Sequence, residues 1–191
     1  MTDLVDIEDV TPEPIGDESL RDKIKTAVMA FGGKAAHYSI LARTDNVPIL
    51  KAFAIPIYYY VKFMQDNGFF DRVDALMADT QFVTDPSYRD QKLYEFRFDM
   101  MLAPLDANLE SMLAAKLASD YPDAEKVRFR TSTNSEDLEG FPCAGCYESH
   151  TGDPAKWESI QDAIRLAYAS AWRTFAPTCL PNRSTPTWNP C

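Results

Sequence analysis

The chain has 191 residues and a formal net charge of −10, with 46% hydrophobic and 12% aromatic residues. That is enough apolar side chain for one domain with a sizeable core, and it excludes a disordered chain. The acidity argues against a nucleic-acid surface, which needs clustered Lys and Arg, but it leaves room for a local basic pocket around a small anion.

Residues 1–17 hold acids and two prolines and read as a flexible acidic lead-in. They lack the charged-then-apolar order of a signal peptide. No apolar run in the chain reaches the roughly 18 residues of a membrane span, so no membrane partner is expected. A cytoplasmic protein is the expectation, with its four cysteines as thiols.

"SLRDKIKTAVMAF" predicts a helix capped by Ser19. Gly32 and Gly33 break it, and a second helix is expected from Lys34 to about Arg43. "VPILKAFAIP" reads as short extended pieces. Pro56 starts, and Gly68 ends, a helix over 57–68. "PSYRDQKLYEFRFDMML" and "LDANLESMLAAKLASDY" carry apolar residues at three- and four-residue spacing and predict amphipathic helices. Residues 126–131, "KVRFRT", are the best strand. "PAKWESIQDAIRLAYASAWRTF" predicts a helix with Trp157, Ile160, Ile164, Ala167, Tyr168 and Ala171 on one stripe. Residues 177–191 form a proline-rich tail without periodicity, either a linker or an out-of-frame end, and it cannot extend the helix. A single folded region over 18–176 follows.

Two loops carry candidate chemistry. In "FGGKAAHYSILAR", paired glycines permit close backbone approach, and Lys34 follows at a helix start, where backbone N–H groups favour an anion. It is not a Walker A loop, because the first glycine of that pattern is missing and Ala35 lacks the hydroxyl. Taken alone, the same residues describe a helix-breaking turn with a solvated lysine. In "RFRTSTNSEDLEGFPCAGCYESHTG", Arg130 ends a strand, where a guanidinium can be fixed for bidentate phosphate binding. Thr131, Ser132, Thr133, Asn134 and Ser135 add hydroxyl and amide donors. Glu136 and Asp137 would repel phosphate, so they fit the orientation of Arg130 or a turn cap. Gly140 and Gly145 would let the loop close. A solvated turn with a surface Arg–Glu pair is the plain alternative.

Together the loops resemble the N-terminal nucleotide-binding domain of the pyruvate phosphate dikinase and phosphoenolpyruvate synthase family. The matching residues are Gly32-Gly33-Lys34, Val47-Pro48, Phe53-Ala54-Ile55, Asn67-Gly68, Arg130-Thr131-Ser132, Glu136-Asp137-Leu138 and Ala144-Gly145, in the family's order and spacing. The resemblance covers about residues 28–176. It implies an α/β (α+β) fold, the first lobe of an ATP-grasp-like nucleotide-binding domain, incomplete in this chain. It implies ATP as the ligand, with Lys34 and Arg130 on its phosphates. Gly32, Gly33 and Gly145 would shape the backbone, Thr131 and Ser132 would be weaker contacts, and Glu136 would orient the arginine. The implied function is the ATP-binding part of a phosphoryl-transfer enzyme that converts ATP to AMP and phosphate through a phosphohistidine on another domain or chain.

The family's second half, which carries the acidic Mg²⁺ ligands, and its phosphohistidine domain are expected to lie outside this sequence. No metal ligand is therefore carried over, and no catalytic residue is named. The alternative is a catalytically inactive fragment or a regulatory nucleotide-binding module. Within the motif, Thr131 replaces the usual serine, and Cys146 and Tyr147 replace a commoner polar pair. "GGKAAHYSILAR" also resembles a phosphohistidine motif centred on His37, but Ala35 and Ala36 lack its hydroxyls, so His37 reads as an ordinary helix residue. Cys143 and Cys146 fit half a zinc site or a redox pair, or simply two thiols. Tyr58, Tyr59 and Tyr60 spread round a helix axis rather than forming one stacking platform.

Overall fold

The computed structural model describes residues 1–11, 19–133, 137–138, 141–142 and 147–173. In chain order they form strand β1 (Val5–Asp6), a 3-10 turn (Ile7–Asp9), helices α1 (Leu20–Phe31) and α2 (Gly33–Ala42), and strand β2 (Phe53–Ala54). Helices α3 (Ile57–Asp66), α4 (Phe69–Ala78), α5 (Thr80–Thr84), α6 (Pro86–Leu102) and α7 (Ala107–Asp120) follow. Then come strands β3 (Val127–Arg130), β4 (Asp137–Leu138), β5 (Phe141–Pro142) and β6 (Ser149–Gly152), helix α8 (Trp157–Ala169) and a closing 3-10 turn (Ser170–Trp172). The fold class is α+β: helices predominate, and the strands pair only in antiparallel twos, β1 with β2, β3 with β6 and β4 with β5.

Local chemistry sets most boundaries. The Ser19 hydroxyl accepts the Asp22 N–H and caps α1. Aspartates cap three later helices: Asp79 accepts the Gln81 N–H, Asp85 those of Ser87 and Tyr88, and Asp106 that of Leu109. Pro86 sits at the start of α6, where its missing N–H costs nothing. Gly68, at φ 68°, separates α3 from α4 in a left-handed conformation that suits glycine. The sequence reading had no account of α4 or α5.

The described residues fall into two compact units, one drawn from residues 1–59 and 132–142, the other from 60–131 and 147–173. The first unit has a core of small parts. Ala27, Phe31, Ala35, Ala36 and Ala54 pack with Ile7 and Val10. A buried polar latch ties the N-terminal segment to α2. The Thr11 N–H donates to Ser39 Oγ (2.9 Å), the Thr11 hydroxyl donates to the Ala36 carbonyl (3.2 Å), and the Ser39 hydroxyl donates to the Glu8 carbonyl (3.3 Å).

This corrects the expectation of a flexible lead-in for residues 1–11. Val5 and Asp6 pair with Ala54 and Phe53, and the Ile7 N–H donates to the Ala52 carbonyl at 3.0 Å. The acidic average of the segment conceals Val5, Ile7 and Val10, which supply its apolar contact with the core. Residues 12–18 lie outside the described residues, as does the tail from 174 onward.

The second unit is built on large side chains. Six aromatic residues close a ring of contacts: Tyr60 on Tyr168, Tyr168 on Phe63, Phe63 on Phe69, Phe69 on Phe96 and Phe96 on Trp172, with centroids 4.9–5.5 Å apart. The Trp172 indole N–H completes the circuit by donating to the Tyr60 hydroxyl at 2.9 Å. Burial pushes the Tyr60 phenol well above its ordinary pKa, against the opposing effect of that hydrogen bond.

Strands β3 and β6 pair with Phe129 opposite His150 and Arg130 opposite Ser149. Phe129 is buried, while Arg128 and Arg130 are exposed, as strand alternation requires. Gly152 of β6 lies against α8 so closely that a Cβ there would stand 2.7 Å from Ile160 Cδ1.

Candidate functional site

Gly32 is both the last cap of α1 and the first cap of α2, at φ 85° and ψ 167°. Its N–H donates to the Val28 carbonyl, closing α1. A Cβ at this position would stand 2.3 Å from the Ser132 carbonyl oxygen and 2.4 Å from its carbon. Glycine is therefore required twice over, for the dihedral and for the approach of Ser132. Gly33 is different. A Cβ there would meet only the Thr133 carbonyl oxygen, at an ordinary 3.6 Å.

Ser132 and Thr133 meet the Gly-Gly-Lys turn within the first unit. The Gly33 N–H donates to the Thr133 carbonyl at 2.8 Å, and the Ala35 N–H donates to Ser132 Oγ at 3.0 Å. Two of the N–H groups at the start of α2 are thus engaged by the Ser132–Thr133 segment. Lys34, between them, is half-buried, and His37 is exposed. Thr133 Oγ1 is buried and finds no hydrogen-bond partner among the described residues.

In the second unit, Arg130 ends β3 with its side chain exposed. The Thr131 hydroxyl donates to the Glu148 carbonyl at 2.8 Å, which ties the end of β3 to the start of β6. Its proton is engaged by the backbone, and the oxygen can still accept a hydrogen bond. Glu136 and Gly145, and with them Gly140 and the four cysteines, lie outside the described residues. Among the described residues no three His, Cys, Asp or Glu side chains group as a metal ion would need. Nor is any helix among them long and apolar enough to cross a membrane. Tyr59 is buried and Tyr58 exposed, so the tyrosine run is divided between core and surface.

The family described as pyruvate phosphate dikinase, AMP/ATP-binding domain, matches residues 28–180. The chain belongs to this family. No curated protein matches the chain, and no solved structure does. The match to the dikinase AMP/ATP-binding domain takes in the candidate site residues from Gly32 to Gly145. It begins at Val28, inside α1. Ile7 and Val10 lie before it and still pack in the core that carries Ala35 and Ala36 of α2. The N-terminal segment therefore supports the dikinase-family turn from outside the matched region.

The sequence motifs single out Gly32, Lys34, Arg130 and Ser132. They missed that Ser132 and Thr133 grip the Gly-Gly-Lys turn, and they missed the support from Thr11 and Ser39. A hydroxyl residue following the strand was visible; its partner 97 residues away was not.

Proposed function

We propose that this chain binds the phosphates of ATP or AMP as the nucleotide-binding part of a phosphoryl-transfer enzyme of the dikinase type. The observation that carries the reading is the turn at Gly32–Ala35 held by Ser132 and Thr133 within one unit, in a chain that matches the AMP/ATP-binding family. Lys34 would supply a positive charge at the start of α2, and Arg130 a planar fork for two phosphate oxygens. The orphaned Thr133 hydroxyl suits a phosphate oxygen or a water bound to one. Gly33 has room for close ligand approach, while Gly145 and Glu136 would act from the loop that follows Ser132. ATP supplies a phosphoryl group to a histidine on another domain or chain; this chain's part is binding and orientation, which provide most of such catalysis. The domain is assigned to residues 18–176, with the segment packed on α2 as its support and 177–191 as a tail. An ATP-grasp first lobe in a cytoplasmic enzyme belongs to the same proposal.

Calorimetric titration of the chain with ATP and Mg²⁺, and separately with AMP, tests it. Lys34→Ala and Arg130→Ala are each expected to weaken binding about tenfold or more, the value of a charge-assisted contact. A folded wild-type chain that binds neither nucleotide sinks the reading and favours an inactive fragment.

A further inference from the structure

Helix α2 starts under an unusual condition. The first N–H groups of a helix have no partner within it, and a side chain at the cap position commonly receives one of them. The cap of α2 is Gly32, which has no side chain and makes no such bond. The hydroxyl comes instead from Ser132, which receives the Ala35 N–H at 3.0 Å, a contact between residues 97 apart in sequence. The next residue, Thr133, receives the Gly33 N–H through its carbonyl at 2.8 Å. Lys34 thus lies between two amides, each pinned by one of two consecutive residues. The arrangement exists only because Gly32 admits the Ser132 backbone where any Cβ would collide.

We propose that Ser132 is a positioning residue: its hydroxyl caps α2 from a distant part of the chain, fixes the backbone on both sides of Lys34 together with Thr133, and acts on the nucleotide through Lys34 rather than by touching it. This rests on the nucleotide-binding reading above. It assigns Ser132 a different task from the direct phosphate contact that its motif suggests. A hydroxyl that receives an amide proton from α2 holds the turn without touching the nucleotide, so the lysine's reach is set by the fold.

The test uses the full chain in two measurements. Amide exchange at Ala35, without nucleotide, is followed in the wild type, Ser132→Ala and Ser132→Thr. Dissociation constants for ATP with Mg²⁺ are measured for the same proteins, for Lys34→Ala, and for Ser132→Ala combined with Lys34→Ala. Losing the capping hydroxyl should speed Ala35 exchange about tenfold and weaken ATP about tenfold. Ser132→Thr, which keeps the hydroxyl, should restore both. The double variant should bind no worse than Lys34→Ala alone, because both changes act on one group.

Unchanged Ala35 exchange in Ser132→Ala overturns the cap, whatever ATP does. Losses that multiply in the double variant overturn action through Lys34 and make the hydroxyl a direct ligand. A wild type that binds no ATP, while Ala35 exchange still responds to Ser132, removes the nucleotide reading and overturns the positioning role. Ser132 would then remain only as the cap of α2.

Discussion

The two units solve the problem of holding shape with parts of different size. Around α2 the core is largely alanine, with Ala27, Ala35, Ala36 and Ala54 among its members. The other unit closes a ring of six aromatic side chains through Phe96 and Trp172. A buried methylene contributes about 0.8 kcal/mol, and a large buried side chain about 1.5–3 kcal/mol. The alanine core therefore offers little area per residue, but it lets backbones approach closely. Position there is set by hydrogen bonds between side chains and backbone: Thr11 with Ala36, Ser39 with Glu8 and Thr11, and Ser132 with Ala35. A turn fixed by two backbone amides suits that construction. Area-rich packing, which tolerates small shifts, suits a scaffold.

The sharpest way to break this comparison is Phe96→Ala. Phe96 is fully buried and contacts both Phe69 and Trp172. Its truncation should cost about 3–5 kcal/mol in denaturant unfolding. A loss below about 1 kcal/mol would mean that the aromatic ring is not where the second unit's stability resides.

Next is a pair of adjacent glycines. Gly32→Ala drives a methyl into the Ser132 carbonyl at a positive φ and should cost roughly 2–4 kcal/mol. Gly33→Ala meets nothing closer than 3.6 Å and should stay within about 0.5 kcal/mol. Equal effects at the two positions would show that the close approach to Ser132 is not what Gly32 provides. Site-resolved amide exchange adds a further point. Gly32→Ala should free Ala35 while leaving the amides of α8 protected; loss at both would mean that the units open together.

The smallest expected effect concerns acid. Asp85 is held below its ordinary carboxyl pKa of 3.8, chiefly by the Tyr88 N–H and also by that of Ser87. A depressed folded-state value means that its stabilising contribution is present above the unfolded pKa and is lost as pH falls through the lowered one. The start of α2 is capped by the neutral Ser132 hydroxyl, which does not titrate there. Melting temperature measured from pH 7 down to pH 2 should therefore fall less in Asp85→Asn, which keeps a capping oxygen, than in the wild type. Equal acid sensitivity in the two proteins would remove Asp85 from the account.

By itself the sequence determined the features that depend on near neighbours. Ser19 at the cap of α1, Pro86 at the start of α6 and the apolar spacing of α6, α7 and α8 are local signals, and those helices form where they point. The strand at Val127–Arg130 and the two nucleotide motifs were legible for the same reason, since each is a short run whose chemistry can be read without its surroundings. Tertiary structure decided the rest. It turned an acidic N-terminal run into a strand and a latch, because three apolar residues found a surface to cover. It committed the Thr131 hydroxyl to the Glu148 carbonyl. It also brought Ser132 against Gly32, where the missing Cβ of one residue makes space for the backbone of another 100 positions away. Such contacts follow from the packing of a whole unit, and no local period or propensity encodes them.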